Sequence, residues 1–411
     1  MELDVALALI SLYDRTGETK LAEDGIHHLF VGKADAYAAL DRDKGFARSE
    51  QLVQELFNEK SLAYAASDLA AIERYHTVLG LIYASRERWT SDWADNATFQ
   101  LSHAIDASRA LAKQTGAPPP PLPELQSLLA TGYEARNRRS DAAAQRLEAA
   151  AGFLDLDAVP QATAELEHCA ALDCAAAPLA GLRQITSTRA RVRSGEELSL
   201  DQNAKGDSGP AVDAWIDSGA VGGLDASFVR RQQFKVLADA GEHAGSAGDL
   251  AAASTLRVKA LEAIREQPSL PSLDDVARVR KIESAFSSEI KVGGERGVVQ
   301  LDATPAEMET AKVWTVGSAQ GPRKFVVSKD LFVAGKILEQ PAVAEAVRQG
   351  ELSVAVDKGE VNVKPTMATA AVTDIAAAEK NATEIRKIKG VRSVKVTEVA
   401  KAAATEVPPP W

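Results

Sequence analysis

Between Phe234 and Pro268 the chain reads FKVLADAGEHAGSAGDLAAASTLRVKALEAIREQP, and its small and apolar residues recur at three and four rather than at two. Leu237, Ala240, Gly241 and Ala244 share one helical face, Gly248-Asp249 makes a turn, and Ala253, Arg257 and Ala260 mark a second helix. Two helices joined by so short a turn lie against each other, and small residues at the contact let their axes approach closely. A single pair of this kind cannot bury its apolar face, so the stretch requires neighbours like itself.

Such neighbours recur along the chain. Leu9, Tyr13, Gly17, Ala22, Ile26 and Leu29 stand at the same relative offsets as Ala240, Ala244, Gly248, Ala253, Arg257 and Ala260. A further copy holds His76, Leu79, Gly80 and Tyr83 in its first helix and Ala97, Leu101 and Ala104 in its second, the latter displaced by a longer connection containing Trp89 and Trp93. Another has Leu129, Ala130 and Tyr133 followed by Ala142, Arg146 and Ala149 without an insertion. Over residues 1 to 267 this pattern resembles the tetratricopeptide repeat, with histidine at position 76 in place of the usual tryptophan and with the proline after the second helix mostly missing. The resemblance implies stacked helical hairpins with an extended concave surface that holds protein partners.

Two segments interrupt the helical pattern. The proline run between Gly116 and Pro123 predicts an extended connector, or a ligand for an aromatic groove. The glycines between Ser194 and Gly223 predict a long loop or a boundary between subdomains. From Gly293 onward the character changes. The runs 298–302, 312–317, 324–328, 352–356 and 361–365 are rich in β-branched residues and read as strands, with AspLysGlyGlu as a hairpin turn between the last two. Helices are expected over 342–349 and 373–389, and the chain passes through Gly390 into a final strand. The expected fold is mainly α: helical repeats over 1–193, a boundary over 194–223, a helical continuation over 224–292, a small α+β domain over 298–400 and a tail over 401–411 ending in Trp411. The closing helical pair at 234–268 adjoins this change and is the expected rest for the C-terminal module.

Charge divides the same way. Residues 298 to 411 carry 15 Lys and Arg against 14 Asp and Glu, a net of +1, which leaves −12 for residues 1 to 297 out of the chain's −11. An acidic chain repels a phosphate backbone, so nucleic acid is not an expected partner. No apolar run is long enough for a transmembrane helix. The N-terminus, MELDVALALISLYDRTGETK, has acidic residues where a signal peptide needs basic ones, which favours the cytoplasm. A chain whose leader had been removed would read the same, and this keeps a periplasmic or envelope location as the alternative.

Candidate chemistry is sparse. Cys169 and Cys174 stand about 140° past a full helical turn from each other, so they read as buried small residues; a disulfide would need a break in the helix, and a zinc site with His168 would lack ligands. Gly206-Asp207-Ser208-Gly209-Pro210 is similar to the nucleophile string of trypsin-like proteases, but its surroundings are helical and it reads as a turn. Gly293 to Gly297 lacks the lysine and serine of a phosphate loop and reads as a hinge. His27-His28 point about 100° apart and do not converge on a metal. Arg386, Lys387, Lys389, Arg392 and Lys395 form a basic concentration that either faces water or meets an anionic contact. No catalytic constellation, metal site or cofactor is expected.

The resemblance places ligand contacts on the inward face of the first helices, at Asp14, Arg15, Arg74, Glu124, Glu134, Asp239 and Glu242. That surface is mainly acidic, and a basic peptide or domain is the preferred ligand. The expected function is a non-enzymatic protein–protein interaction scaffold within a multi-subunit assembly. The alternatives are an enzyme or ligand-binding site in the C-terminal module, with Asp302, Glu307, Glu309, Asp357 and Glu360 as acid–base groups, or a structural subunit that self-associates through its open end faces.

Overall fold

The computed structural model of the chain describes residues 63–85, 92–115, 119–172, 174–195, 221, 223–265, 267, 269–270, 273–292, 299–301, 311–316, 323–366, 372–389 and 391–397. Asp14, Arg15, His27-His28, the 206–210 string, Gly293 to Gly297, Asp302, Glu307, Glu309 and Trp411 lie outside the described residues. The described chain is mainly helical, with adjacent helices packed in pairs and a smaller β-containing part toward the C-terminus.

Among the described residues eight helices come first: α1 (Leu69–Ser85), α2 (Trp93–Thr115), α3 (Pro123–Ala135), α4 (Arg139–Asp155), α5 (Val159–Leu172), α6 (Ala176–Arg193), α7 (Ala226–Ser246) and α8 (Leu250–Arg265). Their starts follow from local chemistry. The Asp225 carboxylate accepts from the Phe228 amide at 2.9 Å and caps α7, and Asp249 does the same for Ala252 at the head of α8. The proline run ends by supplying Pro123 to the first turn of α3, where a missing amide costs nothing. The turns between helices repeat as well. Asn137 and Gly248 occupy the same offset in their units, and both take a positive φ (59° and 89°) that Asn and Gly tolerate best.

Packing explains the alanines. Ala97, Ala104, Ala142, Ala149, Ala253 and Ala260 are all fully buried, one pair in each second helix of the three hairpins. Opposite them stands a small residue of the first helix, Gly80, Ala130 or Gly241. At Gly80 an added Cβ would sit 2.6 Å from the Leu101 Cδ2, so α1 and α2 touch almost backbone to side chain. Leu79 and Leu101, both fully buried, each stabilise the pair by about 1.5–3 kcal/mol through burial alone. His76 is buried too. Its Nδ1 lies 2.7 Å from the Gln100 Oε1 and its Nε2 2.7 Å from the Tyr64 hydroxyl, so both ring nitrogens are satisfied where a tryptophan would be wholly apolar.

The β-containing part begins earlier than the change in sequence character. After α8 come β1 (Ser269–Leu270), α9 (Leu273–Glu289), β2 (Lys291–Val292), β3 (Val299–Leu301), β4 (Ala311–Val316) and β5 (Arg323–Ser328). Then follow α10 (Lys329–Leu338), α11 (Pro341–Arg348), β6 (Leu352–Asp357), β7 (Glu360–Pro365), α12 (Val372–Arg386) and β8 (Ser393–Val396). One sheet has the order β1-β4-β5-β3, the other β2-β6-β7-β8. Each therefore recruits a two-residue strand from the stretch expected to be a helical continuation, with β1 parallel to β4 and β2 parallel to β6. Lys358 and Gly359, both at positive φ, close the β6–β7 hairpin, and the buried Asp330 carboxylate accepts both of their amides at 2.6 and 2.7 Å. Burial alternates along β6 and β7, turning Val354, Val356, Val361 and Val363 toward the core.

This module rests on α8 and α9. Gly335 of α10 approaches so closely that a Cβ there would lie 2.6 Å from the Val258 Cγ2 and 3.0 Å from the Phe286 ring. Beside it Lys336 pairs with Glu262 at 2.8 Å. One apolar core runs without a break from Ala149 to Ile385.

The cysteines require a correction. They form a disulfide, with Cα atoms 5.4 Å apart. The uninterrupted helix expected for them does not exist: α5 stops at Leu172, α6 starts at Ala176, and Cys174 sits in the connection. Once the second cysteine leaves the helix, the angular argument against a bridge no longer applies.

Candidate partner-binding surface

Three of the carboxylates placed on the inward face of the first helices meet cations of other helices. Glu134 of α3 accepts from Arg146 of α4, with Nε at 2.9 Å and Nη2 at 2.8 Å. The same guanidinium reaches Glu165 of α5 at 2.8 Å, the Ser127 hydroxyl at 3.1 Å and the Thr131 hydroxyl at 3.1 Å. Arg146 is 4% exposed, and its bond to Glu165 is buried from water. Asp239 of α7 accepts from Arg278 of α9 at 2.9 Å, and Glu242 one turn later pairs with Lys281 of α9 at 2.9 Å. Helix α9 thus covers the face of α7 that a tetratricopeptide groove would leave open. Arg74 is half-buried on α1, whereas Glu124 at the head of α3 is exposed. Glu242 keeps an exposed side chain despite its partner.

The strongest concentration of charge lies deeper, and of the positions expected from the sequence only Asp239 touches it, through Arg278. It centres on the turn that ends α4. Asp155 accepts from Gln232 Nε2 at 2.8 Å and from Arg231 Nη2 at 2.8 Å, while its carbonyl accepts from Lys235 Nζ at 2.6 Å. Asp157, held at a φ of 64°, accepts from Arg278 Nη1 at 2.6 Å and from Arg189, with Arg193 at 3.2 Å and Lys235 at 3.5 Å. Arg189 also donates to the Leu154 carbonyl at 2.6 Å and to Gln232 Oε1 at 3.0 Å. Lys235, fully buried, completes the group with Asp275 at 3.0 Å. The turn, α6, α7 and α9 are joined by this one network.

Its titration follows from its geometry. Burial pushes the Asp157 carboxyl up, but Lys235, the Arg278 hydrogen bond and Arg189 outweigh it and hold the group well below the usual carboxylate range. Asp275 goes the other way, because burial outweighs the pull of Lys235 and Arg278. Burial lowers Arg189, and Asp157 only partly offsets this. For Arg278 burial also lowers, but Asp239 and Asp157 prevail and raise it. Buried charges with this many partners fix how elements sit against each other.

A signal for the network is present in the sequence. In FVRRQQFKV the residues Arg231, Gln232 and Lys235 stand among Phe228, Val229, Phe234 and Val236, all buried, so charge falls inside an apolar run rather than on a polar face.

Among the described residues no three His, Cys, Asp or Glu side chains converge as a metal site requires. Asp357 and Glu360 face each other across the hairpin turn on the exposed side, and Glu360 pairs with Lys395 at 3.3 Å. No described helix is long and apolar enough to cross a membrane. Comparison with models of protein families, with curated proteins and with solved structures finds no match for the chain.

Proposed function

We propose that the chain is a tetratricopeptide-like, non-enzymatic scaffold that holds protein partners on its helical surface as part of a larger assembly. The observation that carries this reading is the equivalence of its hairpins: the same offsets hold fully buried alanines in three second helices, and a positive-φ turn residue in two. Repeated pairs stacked in this way present an extended surface of the kind used to bind other proteins. The exposed carboxylates of Glu124 and Glu242 give that surface an acidic character, which suits a basic peptide or domain.

Affinity capture with mass spectrometry tests the proposal. A specific basic protein should be recovered by the full chain and lost when Glu124→Lys and Glu242→Lys are combined. Asp239 and Glu134 are poor choices, because a lysine there would face the guanidinium of Arg278 or Arg146. Unchanged capture by the double variant would sink the acidic surface, and turnover of a small molecule without any specific partner would sink the scaffold.

The Cys169–Cys174 disulfide favours a second point, that the chain works in an oxidising compartment such as the periplasm or cell envelope. Thiol titration of the unfolded protein from its natural source should find no free thiol. Two free thiols would return the chain to a reducing compartment.

A further inference from the structure

The C-terminal sheet ends on β8, and β8 pairs with a neighbour on one side only among the described residues. The amides of Arg392 and Thr397 donate toward β7, to the carbonyls of Gly359 (2.7 Å) and Val363 (3.0 Å). In a parallel ladder the alternate backbone groups of the strand point the other way, and among the described residues nothing pairs with them.

Cations gather where α12 leads into this edge strand. Arg386 at the end of α12, Lys389 in the turn and Arg392 at the mouth of β8 are all exposed, and none has an ion-pair partner among the described residues. Lys395 lies within the strand and makes an exposed contact to Glu360. On its paired side Arg392 bonds to the Gly359 carbonyl, next to the exposed Asp357 and Lys358 of the β6–β7 turn. Of the nearby carboxylates, Glu384 pairs with Lys387 and Glu360 with Lys395. A basic rim along free backbone donors and acceptors is complementary to an extended chain bearing carboxylates.

We propose that β8 docks an acidic extended segment of another protein by strand addition, with its backbone along the open edge and its carboxylates on Arg386, Lys389 and Arg392. Main-chain hydrogen bonds supply the direction and the cations supply the selectivity. This surface is separate from the acidic helical one and takes a ligand of opposite charge. Reversal of Glu124 and Glu242 leaves it intact, so the two readings fail independently.

The test uses the full chain and a fluorescein-labelled peptide of alternating glutamate and valine, with fluorescence anisotropy as the readout. The peptide should bind, and binding should weaken as salt rises. The triple variant R386E/K389E/R392E should bind it roughly tenfold more weakly or worse. If that variant does not fold, as judged by its melting curve, R386Q/K389Q/R392Q takes its place, since neutral side chains at exposed positions disturb little. The same peptide with proline at alternate positions should not bind, because it lacks the amides that strand addition needs. Equal binding of the proline peptide would reduce the site to charge attraction and overturn the proposal. So would equal binding by the triple variants. Absence of peptide binding also overturns it, whether or not phosphatidylglycerol vesicles are bound; vesicle binding in that case would make the basic edge a lipid contact.

Discussion

The hairpins α3–α4 and α7–α8 have the same plan, the same buried alanines and an arginine at the same position of the second helix, yet the two arginines live differently. Arg146 is buried and bonded to Glu134, Glu165, Ser127 and Thr131. Arg257 is half-buried over Gly241 and Gly245, and burial lowers its pKa more than the neighbouring carboxylates Glu289 and Glu242 raise it. Both of those carboxylates are already engaged, by Arg348 at 2.7 Å and by Lys281 at 2.9 Å. The difference comes partly from within the hairpin, where Gly245 stands at the offset that Glu134 holds, and partly from the helix packed next to it. Helix α5 brings Glu165 to Arg146, whereas α9 directs its cations to Asp239 and Glu242 and leaves Arg257 without an ion pair among the described residues. A repeat position thus fixes the residue's place, and the residues around it fix its chemistry.

The largest effect that can break this comparison is the loss of the Arg146 charge. Arg146→Met leaves Glu165 buried without its cation and should cost roughly 3–5 kcal/mol in urea denaturation. Arg257→Met replaces a guanidinium outside any such pair by an apolar chain of similar length, and should fall within about 0.5 kcal/mol of the parent. Equal costs for the two would mean that the position alone decides the energetics.

Next in size is the network around Asp157, which carries the contrast to a larger scale. Asp157→Asn should cost about 3 kcal/mol at neutral pH, because Arg189, Lys235 and Arg278 lose their shared counter-charge. The folded carboxyl is depressed from its ordinary 3.8, so its contribution is fully present above that value and is lost as pH falls through the lower folded one. The gap between parent and Asp157→Asn should therefore stay constant above the carboxylate range and close on strong acidification. Asp275 has the opposite sign. Its carboxyl is raised, so its contribution is present below its ordinary value and declines as pH rises through the folded one. The acid limb belongs to Asp157 only if it disappears in Asp157→Asn; a limb that persists there removes Asp157 as its source.

How much of the molecule is legible in its sequence depends on distance along the chain. The alanines, the Gly248 turn, the β6–β7 hairpin and the strands from β3 to β7 are local, and period or turn chemistry reveals them. The strands β1 and β2 have two residues each, too few to show alternation, and they enter sheets whose other strands lie far downstream. Helix α10 falls between two strand runs, where the pattern of β-branched residues gives no sign of it. The disulfide depends on where α5 stops, a boundary that apolar period locates poorly. For the candidate surface, the repeat resemblance puts Asp239 and Glu242 on an open face, but α9 packs onto that face and supplies their partners. Of the Asp157 network the sequence shows only that Arg231, Gln232 and Lys235 fall inside an apolar run; the pairing is hidden because Arg278 and Asp157 are 121 residues apart.

The smallest predicted effect tests how loosely Arg257 is held. A Cβ added at Gly245 would stand 2.6 Å from the Arg257 Nη2, an overlap that with a fixed neighbour would be destabilising. The neighbour here is the far end of a long side chain with room to swing toward water. Gly245 lies in the last turn of α7, where alanine is the better helix former by roughly 0.5–1 kcal/mol. Gly245→Ala should therefore be neutral or stabilising by up to about that amount in thermal or urea unfolding. At Gly80 the same change meets the buried Leu101, which cannot move, and should cost about 1–3 kcal/mol. If Gly245→Ala proves as costly as Gly80→Ala, Arg257 is clamped in place after all, and the contrast with Arg146 lies in the choice of partner rather than in its absence.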